Sequence, residues 1–219
     1  MSAESGIRTF RDSGGLWEEF SIEEVATPAA WEKNPKKVLE FYNQRRKQVM
    51  EAKPNAGHFA LAELEKKFDV QIITQNIDDL HERAGSKKVL HLHGQIMMSQ
   101  SSVDSSLVYA IKKQTINFGE KCEKGSQLRP HIVWFGEMVP EMENAALLAQ
   151  TADIFVTIGT SLVVYPAAGL IHAAPPYSVK YLIDPGDFEE IVLKDVKHIQ
   201  QKVSEGMKTL QKELYALYV

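Results

Sequence analysis

The sequence predicts an α/β fold, a doubly wound and mostly parallel sheet with helices on both faces. Two observations point to it. Short apolar runs rich in Val and Ile are nearly continuous rather than alternating, as strands covered on both faces require. Helix-forming stretches stand between most of them, which is the rhythm of a crossover fold.

Taken in chain order, the first strong element is NPKKVLEFYNQRRKQVMEA (34–52). Pro35 stands near its start, and Val38, Leu39, Phe41, Tyr42, Val49 and Met50 recur at helical spacing. HFALAELEKKF (58–68) is a strong helix former. VQIIT (70–74) and VLHLH (89–93) read as strands, as do HIVWF (131–135), IFVTI (154–158) and VKYLI (179–183). MENAALLAQ (142–150) and PAAGLIHAA (166–174) are shorter helices between strands, and KVSEGMKTLQKELYALY (202–218) closes the chain as another. Two stretches break the rhythm. Residues 20–56 hold helix but no strand, and 95–128 are polar and Ser-rich with weak β character. Both are expected to be insertions that pack together as a smaller domain, leaving 1–19, 57–94 and 129–219 for the larger one.

Composition narrows the functional classes. The chain has 219 residues, 44% hydrophobic and 25% charged, as in an ordinary globular protein long enough to bury a core. A net charge of -4 argues against a nucleic-acid binder. No apolar run approaches the roughly 20 residues of a membrane span. One cysteine, Cys122, can form neither an internal disulfide nor a four-cysteine zinc site, which fits a cytoplasmic setting.

Polar clusters follow the predicted strands: TQNIDD after 70–74, His93 and Gly94 closing 89–93, FGE closing 131–135, GTS after 154–158 and IDPGD around 183–187. Ligand crevices of open α/β sheets lie outside the carboxyl ends of the strands. Any one cluster is explained by a turn, but five at one edge point to a binding site. Small residues Gly159, Thr160 and Ser161 would expose backbone N–H groups to a phosphate or ribose. The chain has no GxGxxG, which counts against a hydride-transfer dehydrogenase.

Together these residues resemble the sirtuins, the NAD-dependent protein deacylases. The matching stretches are SAESGIRTFRD (2–12), PNAGH (54–58), TQNIDDLHERAG (74–85), HLHG (91–94), RPHIVWFGE (129–137) and GTSLVVYPAAGL (159–170), spread over most of the chain. The resemblance implies a Rossmann-like large domain with the two insertions as the small one, NAD as co-substrate, and acylated lysine peptides or proteins as partners of a monomeric enzyme. It implies His93 as catalytic base, with Asn76 and Asp78 in the nicotinamide pocket and Gln75 and Ile77 beside them. Ser5, Phe10 and Arg11 would lie on the loop over NAD, and Gly159, Thr160, Ser161 and Asp184 would meet the adenosine half. Phe135, Gly136, Glu137 and Val139 would line the cleft where the peptide adds as a strand. In the family the acyl oxygen attacks C1′ of the nicotinamide ribose, and nicotinamide leaves. A base then takes a ribose hydroxyl proton, a task that suits histidine near pH 7.

Tyr42 and Arg45 are three apart on one helix face, a pair similar to that of sirtuins removing succinyl, malonyl or glutaryl groups. A guanidinium fork matches a carboxylate, and the phenol adds one hydrogen bond. The alternative is that Arg45, Arg46 and Lys47 form a solvated basic face. The chain departs from the family pattern in three ways. The two Cys-x-x-Cys pairs that hold zinc are missing, so a zinc-free small domain is expected. The strand and Gly-Ala-Gly that open the family stand upstream of what Met1 begins, so a longer natural chain is expected. Asp184 stands where the family often has Asn. ADP-ribosyl transfer or NAD hydrolysis, and a non-catalytic NAD-sensing module, remain competing readings.

Overall fold

A computed structural model describes residues 1–7, 20–160, 165–187 and 195–218. In chain order it runs through a 3-10 turn at Ser2–Ser5, then α1 (Ile22–Val25), α2 (Pro28–Lys33), α3 (Pro35–Glu51), α4 (Ala56–Leu64), β1 (Ile72–Thr74), α5 (Leu80–Ala84) and β2 (Val89–His91). There follow β3 (Gly94–Ser101), β4 (Val108–Ala110), β5 (Leu128–Ile132), α6 (Met142–Gln150), β6 (Ile154–Ile158), α7 (Leu170–Ala173), β7 (Val179–Ile183), β8 (Val196–Ile199) and α8 (Val203–Tyr218). No helix among the described residues is long and apolar enough to cross a membrane.

The architecture is Rossmann-like α/β. β6, β7 and β8 form one parallel sheet in the order β6-β7-β8, and β1 pairs with β2 in parallel. The alternation along each strand explains the continuous apolar runs. Ile72, Ile154, Val156, Ile158, Tyr181 and Ile183 pack with α4 and α8 residues such as Leu61, Leu64, Met207 and Leu210. Ile73, Leu90 and Phe155 point the other way, toward Ala145 and Ala149 of α6 and Leu170 of α7. Strands covered on both faces therefore take apolar residues at most positions. Gly206 lets α8 sit directly on β7, since a Cβ there would overlap the Ile183 side chain. Among the described residues no ladder joins β1 to β6. A cavity of about 450 Å³ lies between the two edges, lined by Ile72, Ile73 and Thr74 on one side and Phe155, Val156 and Thr157 on the other.

One expectation is overturned here, and another is sharpened. HIVWF was expected as a buried strand of the parallel sheet. The observed strand is β5 (Leu128–Ile132), and it pairs antiparallel with β3. The polar 95–128 stretch, expected to have weak β character, supplies β4 and nearly all of β3, the longest strand among the described residues, which pair with β5 in a three-stranded antiparallel sheet β4-β3-β5. In β3, Gly94, Ile96, Ser99 and Ser101 are buried, so three of its four buried positions are small or polar, a pattern that hides a strand from hydrophobic periodicity.

α3 begins as its sequence indicates, with Pro35 in the first turn and the Asn34 side chain accepting from the Lys37 N–H at 3.1 Å. Its inward face carries Val38, Leu39, Phe41, Tyr42, Arg45, Arg46 and Val49. Arg46 is fully buried. Its Nε donates to the Ile96 carbonyl at 2.7 Å and its Nη1 to Asn43 Oδ1 at 2.6 Å, while Asn43 bonds both backbone groups of Ile116 at 3.0 Å. These bonds tie α3 to the 94–118 stretch. They also exclude the solvated basic face, because Arg45 and Arg46 point inward and only Lys47 of the three is exposed.

Gly94 is indispensable to this arrangement. It has φ +80°, and a Cβ would overlap the His131 carbonyl where β3 meets β5. Gly94→Ala is expected to lower unfolding free energy by about 3 kcal/mol, since strained backbone and a blocked strand contact act together. Urea denaturation at constant m-value measures it, and a loss under about 1 kcal/mol would contradict the close approach.

Candidate active site

The loops after β1 and β2 meet through His93. β2 ends at His91, and Leu92 and His93 form the turn into β3, so His93 is not the strand residue its alternating position predicts. The Leu92 N–H donates to the Thr74 carbonyl at 2.9 Å, and the Val133 N–H to the His93 carbonyl at 3.0 Å. His93 is thereby clamped between the carboxyl end of β1 and the segment leading to Phe135.

The two histidines of HLH have opposite surroundings. His93 Nδ1 lies 3.1 Å from the Gln75 carbonyl. A carbonyl only accepts, so Nδ1 carries the hydrogen and Nε2 keeps its lone pair. Burial lowers the His93 pKa from its ordinary value, partly offset by the Gln75 bond, so the ring is a neutral base at pH 7. His91 lies between two acceptors, the Asn76 carbonyl 3.2 Å from Nδ1 and Glu82 Oε1 2.7 Å from Nε2. Burial pulls its pKa down, but the Glu82 carboxylate outweighs that and leaves it raised. With both nitrogens donating, His91 is suited to carry charge and hold Asn76, whereas His93 is suited to accept a proton.

Around this pair the other candidate residues gather. Asn76 Nδ2 donates to Ser2 Oγ at 2.9 Å. Ser5 Oγ accepts from Asn55 Nδ2 at 3.0 Å, in the turn that opens the chain. Ile77 gives its carbonyl to the Ile96 N–H at 2.8 Å. Asp78 is buried and its Oδ1 accepts from the Leu80 N–H at 3.2 Å. Gly159 has φ +57° and donates to the Ile183 carbonyl at 2.8 Å. Asp184 Oδ1 accepts from the Gly186 N–H at 2.8 Å. Thr74, Gln75, Asn76, Gly159 and Thr160 line the 450 Å³ cavity at the carboxyl ends of β1 and β6. Phe10, Arg11 and Ser161 lie outside the described residues.

The FGE turn does not end a parallel strand, as was expected, but follows the antiparallel β5. Phe135 is exposed and its N–H donates to the Ala26 carbonyl at 3.0 Å. Gly136 has φ +90°, and Val139 packs partly buried beside α6. Glu137 takes both Arg129 guanidinium nitrogens, at 2.8 and 3.0 Å. Tyr42 and Arg45 are only 3% and 6% exposed. The Tyr42 oxygen accepts from Trp134 Nε1 at 3.1 Å, and Asp78 acts on Arg45 through its charge.

Sequence reasoning overlooked Ser2, Glu82 and Trp134. Glu82 stands one residue after His81 within HERAG and nine before His91, a spacing with no local signature. Trp134 was read only as part of an apolar strand.

Two further histidines lie beneath the site. His58 and His81 pack edge to face with centroids 4.9 Å apart, both almost wholly enclosed. Burial, reinforced for His58 by His81, holds their pKa values at about 3 and about 4, against 6.5 for an exposed imidazole. The folded chain keeps both neutral while the unfolded chain protonates them, so their stabilisation is complete above pH 6.5 and is lost as pH falls toward 4. The loss is expected at about 1.4 kcal/mol per pH unit for each histidine. Urea midpoints between pH 7 and 4.5 test it, and His81→Asn should flatten the slope.

A model described as the Sir2 family matches residues 1–166. A protein of Bacteroides thetaiotaomicron named NAD-dependent protein deacylase is 51% identical over 219 residues, covering 98% of this chain and 94% of that one. A Helicobacter pylori (strain J99) protein of the same name is 50% identical over 214 residues, covering 98% and 91%. The fold superposes on a Sir2 homologue–NAD complex with TM-score 0.88 and 38% identity, covering 100% of this chain and 87% of that one. It also superposes on a Sir2 complex with a deacetylated p53 peptide and 3′-O-acetyl ADP-ribose, with TM-score 0.78 and 31% identity, covering 97% and 89%.

Proposed function

Because the chain belongs to the Sir2 family, we propose that His93, Asn76 and Asp78 form the reacting centre of its NAD-dependent protein-lysine deacylation. The observation that carries the assignment is the neutral His93 ring with Nε2 left basic, bonded to the Gln75 carbonyl, where Gln75 with Asn76, Gly159 and Thr160 lines the cavity at the strand ends. Those groups fit a dinucleotide: side-chain amides for ribose hydroxyls, an exposed glycine that permits close approach, and an uncharged base for a hydroxyl proton. NAD supplies the electrophilic ribose carbon that receives the acyl oxygen. His93 takes the proton of a ribose hydroxyl, which lets that hydroxyl close on the acyl carbon. Asn76, anchored by His91 and Ser2, holds ribose hydroxyls or water, and Asp78 orients the nicotinamide amide. Ser5, Phe10 and Arg11 cover NAD, while Ser161 and Asp184 complete the adenosine side. Phe135, Gly136, Glu137 and Val139 receive the acylated peptide. The expected products are free lysine, nicotinamide and O-acyl-ADP-ribose.

The acyl groups removed are acetyl and, through Tyr42 and Arg45, the acidic succinyl and malonyl groups. Burial of Arg45 and Tyr42 together on α3, rather than in solvent, supports this. We read 20–56 and 95–128 as a small domain without zinc. Cys122 Sγ lies 3.4 Å from Ser101 Oγ and 3.1 Å from Ser126 Oγ, so hydroxyls stand beside the thiol. A free thiol suits a reducing cytoplasmic setting and a monomeric enzyme. Stoichiometric zinc in the purified protein would refute the zinc-free reading. Mass spectrometry of products from acetyl- and succinyl-lysine peptides with NAD tests the reaction. O-acyl-ADP-ribose is expected, and ADP-ribosylated protein or free ADP-ribose alone would favour transfer or NAD hydrolysis.

A further inference from the structure

We infer that Trp134 is a specificity-determining positioning residue, which orients the Tyr42 hydroxyl as a hydrogen-bond donor toward a carboxylate on the acyl group. The inference rests on the acidic-acyl reading above. An indole N–H only donates, so the Tyr42 oxygen must accept the 3.1 Å bond from Trp134 Nε1. With that lone pair engaged on the Trp134 side, the Tyr42 hydroxyl still has its own proton to give. A carboxylate only accepts, so a phenol fixed as donor matches it. The methyl end of an acetyl group offers nothing to accept that proton.

Trp134 is unusually well held for such a task. Its backbone N–H donates to Glu137 Oε2 at 2.7 Å. The Arg129 guanidinium lies 3.5 Å over its ring and grips the same Glu137 through two bonds, while Nη2 also donates to the Ile132 carbonyl at 2.8 Å. Trp31 packs on the indole at 5.8 Å between centroids, and Trp134 is only 2% exposed. Burial raises the Tyr42 pKa far above its ordinary value, so the proton it would donate is retained. The Arg129–Glu137 pair thus connects the FGE turn to the phenol through one aromatic ring.

Trp134→Phe keeps the ring and removes the donor. The ratio of kcat/KM for a succinyl-lysine peptide to that for an acetyl-lysine peptide is expected to fall about 10-fold, through KM, as one hydrogen bond is lost. In a Tyr42→Phe background the same change should add almost nothing. An equal loss for both peptides, an unchanged ratio, or a full loss persisting in the Tyr42→Phe background would overturn the role. A direct readout is the indole Nε1–H resonance by heteronuclear NMR. Tyr42→Phe should move one of the three tryptophan indole signals and leave the other two. If none moves, the bond does not exist. Wild-type enzyme that removes succinyl no better than acetyl sinks the acidic-acyl reading and this role with it, whereas a wild-type preference that survives Trp134→Phe sinks only this role.

Discussion

His93→Ala is expected to lower kcat/KM for NAD-dependent deacylation by at least about 100-fold while leaving the urea midpoint within about 1 kcal/mol of wild type. The size follows from what a positioned general base contributes, roughly 10² to 10⁴ in rate. The small stability effect follows from its place in the fold. His93 is half-buried in a turn, and its ring bonds the Gln75 carbonyl, while its backbone bond to Val133 survives the substitution. The pH profile provides an independent check. The base works only when neutral, and its pKa is held below the ordinary 6.5, so wild-type activity should fall on the acid side below pH 6.5. That limb should vanish in the residual activity of the variant. The neighbouring His91 should behave differently, because its ring sits between Asn76 and Glu82 and its pKa is raised. Equal activity in wild type and His93→Ala would remove the residue from the mechanism.

Arg45→Met is expected to lower the succinyl-to-acetyl ratio of kcat/KM by about 100-fold. A bidentate, charge-assisted contact with a carboxylate accounts for about 3 kcal/mol of discrimination. Methionine keeps much of the volume of a side chain that is 94% enclosed, so the loss reports charge rather than a cavity. Arg45→Lys should recover only part of the ratio, because an ammonium cannot form the same fork. A parallel fall for both peptides would mean that Arg45 supports the fold of α3 and not the acyl group. The Arg45 and Trp134 variants should differ in size, roughly 100-fold against 10-fold, since one removes a charged pair and the other tunes a neutral donor.

Much of the architecture was readable in advance, and the reasons are local. α6, β6 and β7 occur where their periodicity put them, and α3 and α8 begin within one residue of the expected positions. Each carries its own signal: Pro35 and Asn34 at a helix start, or an unbroken apolar run demanded by cover on both faces. His93, Asn76 and Gly159 could be singled out as candidates because their motifs are contiguous and sit at strand ends. β8 was missed because VKHI has only two apolar residues, and β3 because its buried positions include Gly94, Ser99 and Ser101.

What no local pattern carries is which distant groups become partners. The alternation of HLH treats its two histidines alike, and only folding sets one between Asn76 and Glu82 and the other against Gln75. Run-length likewise marks HIVWF as buried, yet pairing with β3 makes its first half an antiparallel edge. FYNQRR reads equally well as a solvated face or an inward one, and packing against Ile96 and Ile116 selects the second. Side-chain spacing along the chain establishes which residues share a face. Hydrogen-bond direction, protonation and strand partnership depend on atoms tens of residues away, so they follow only from the assembled core.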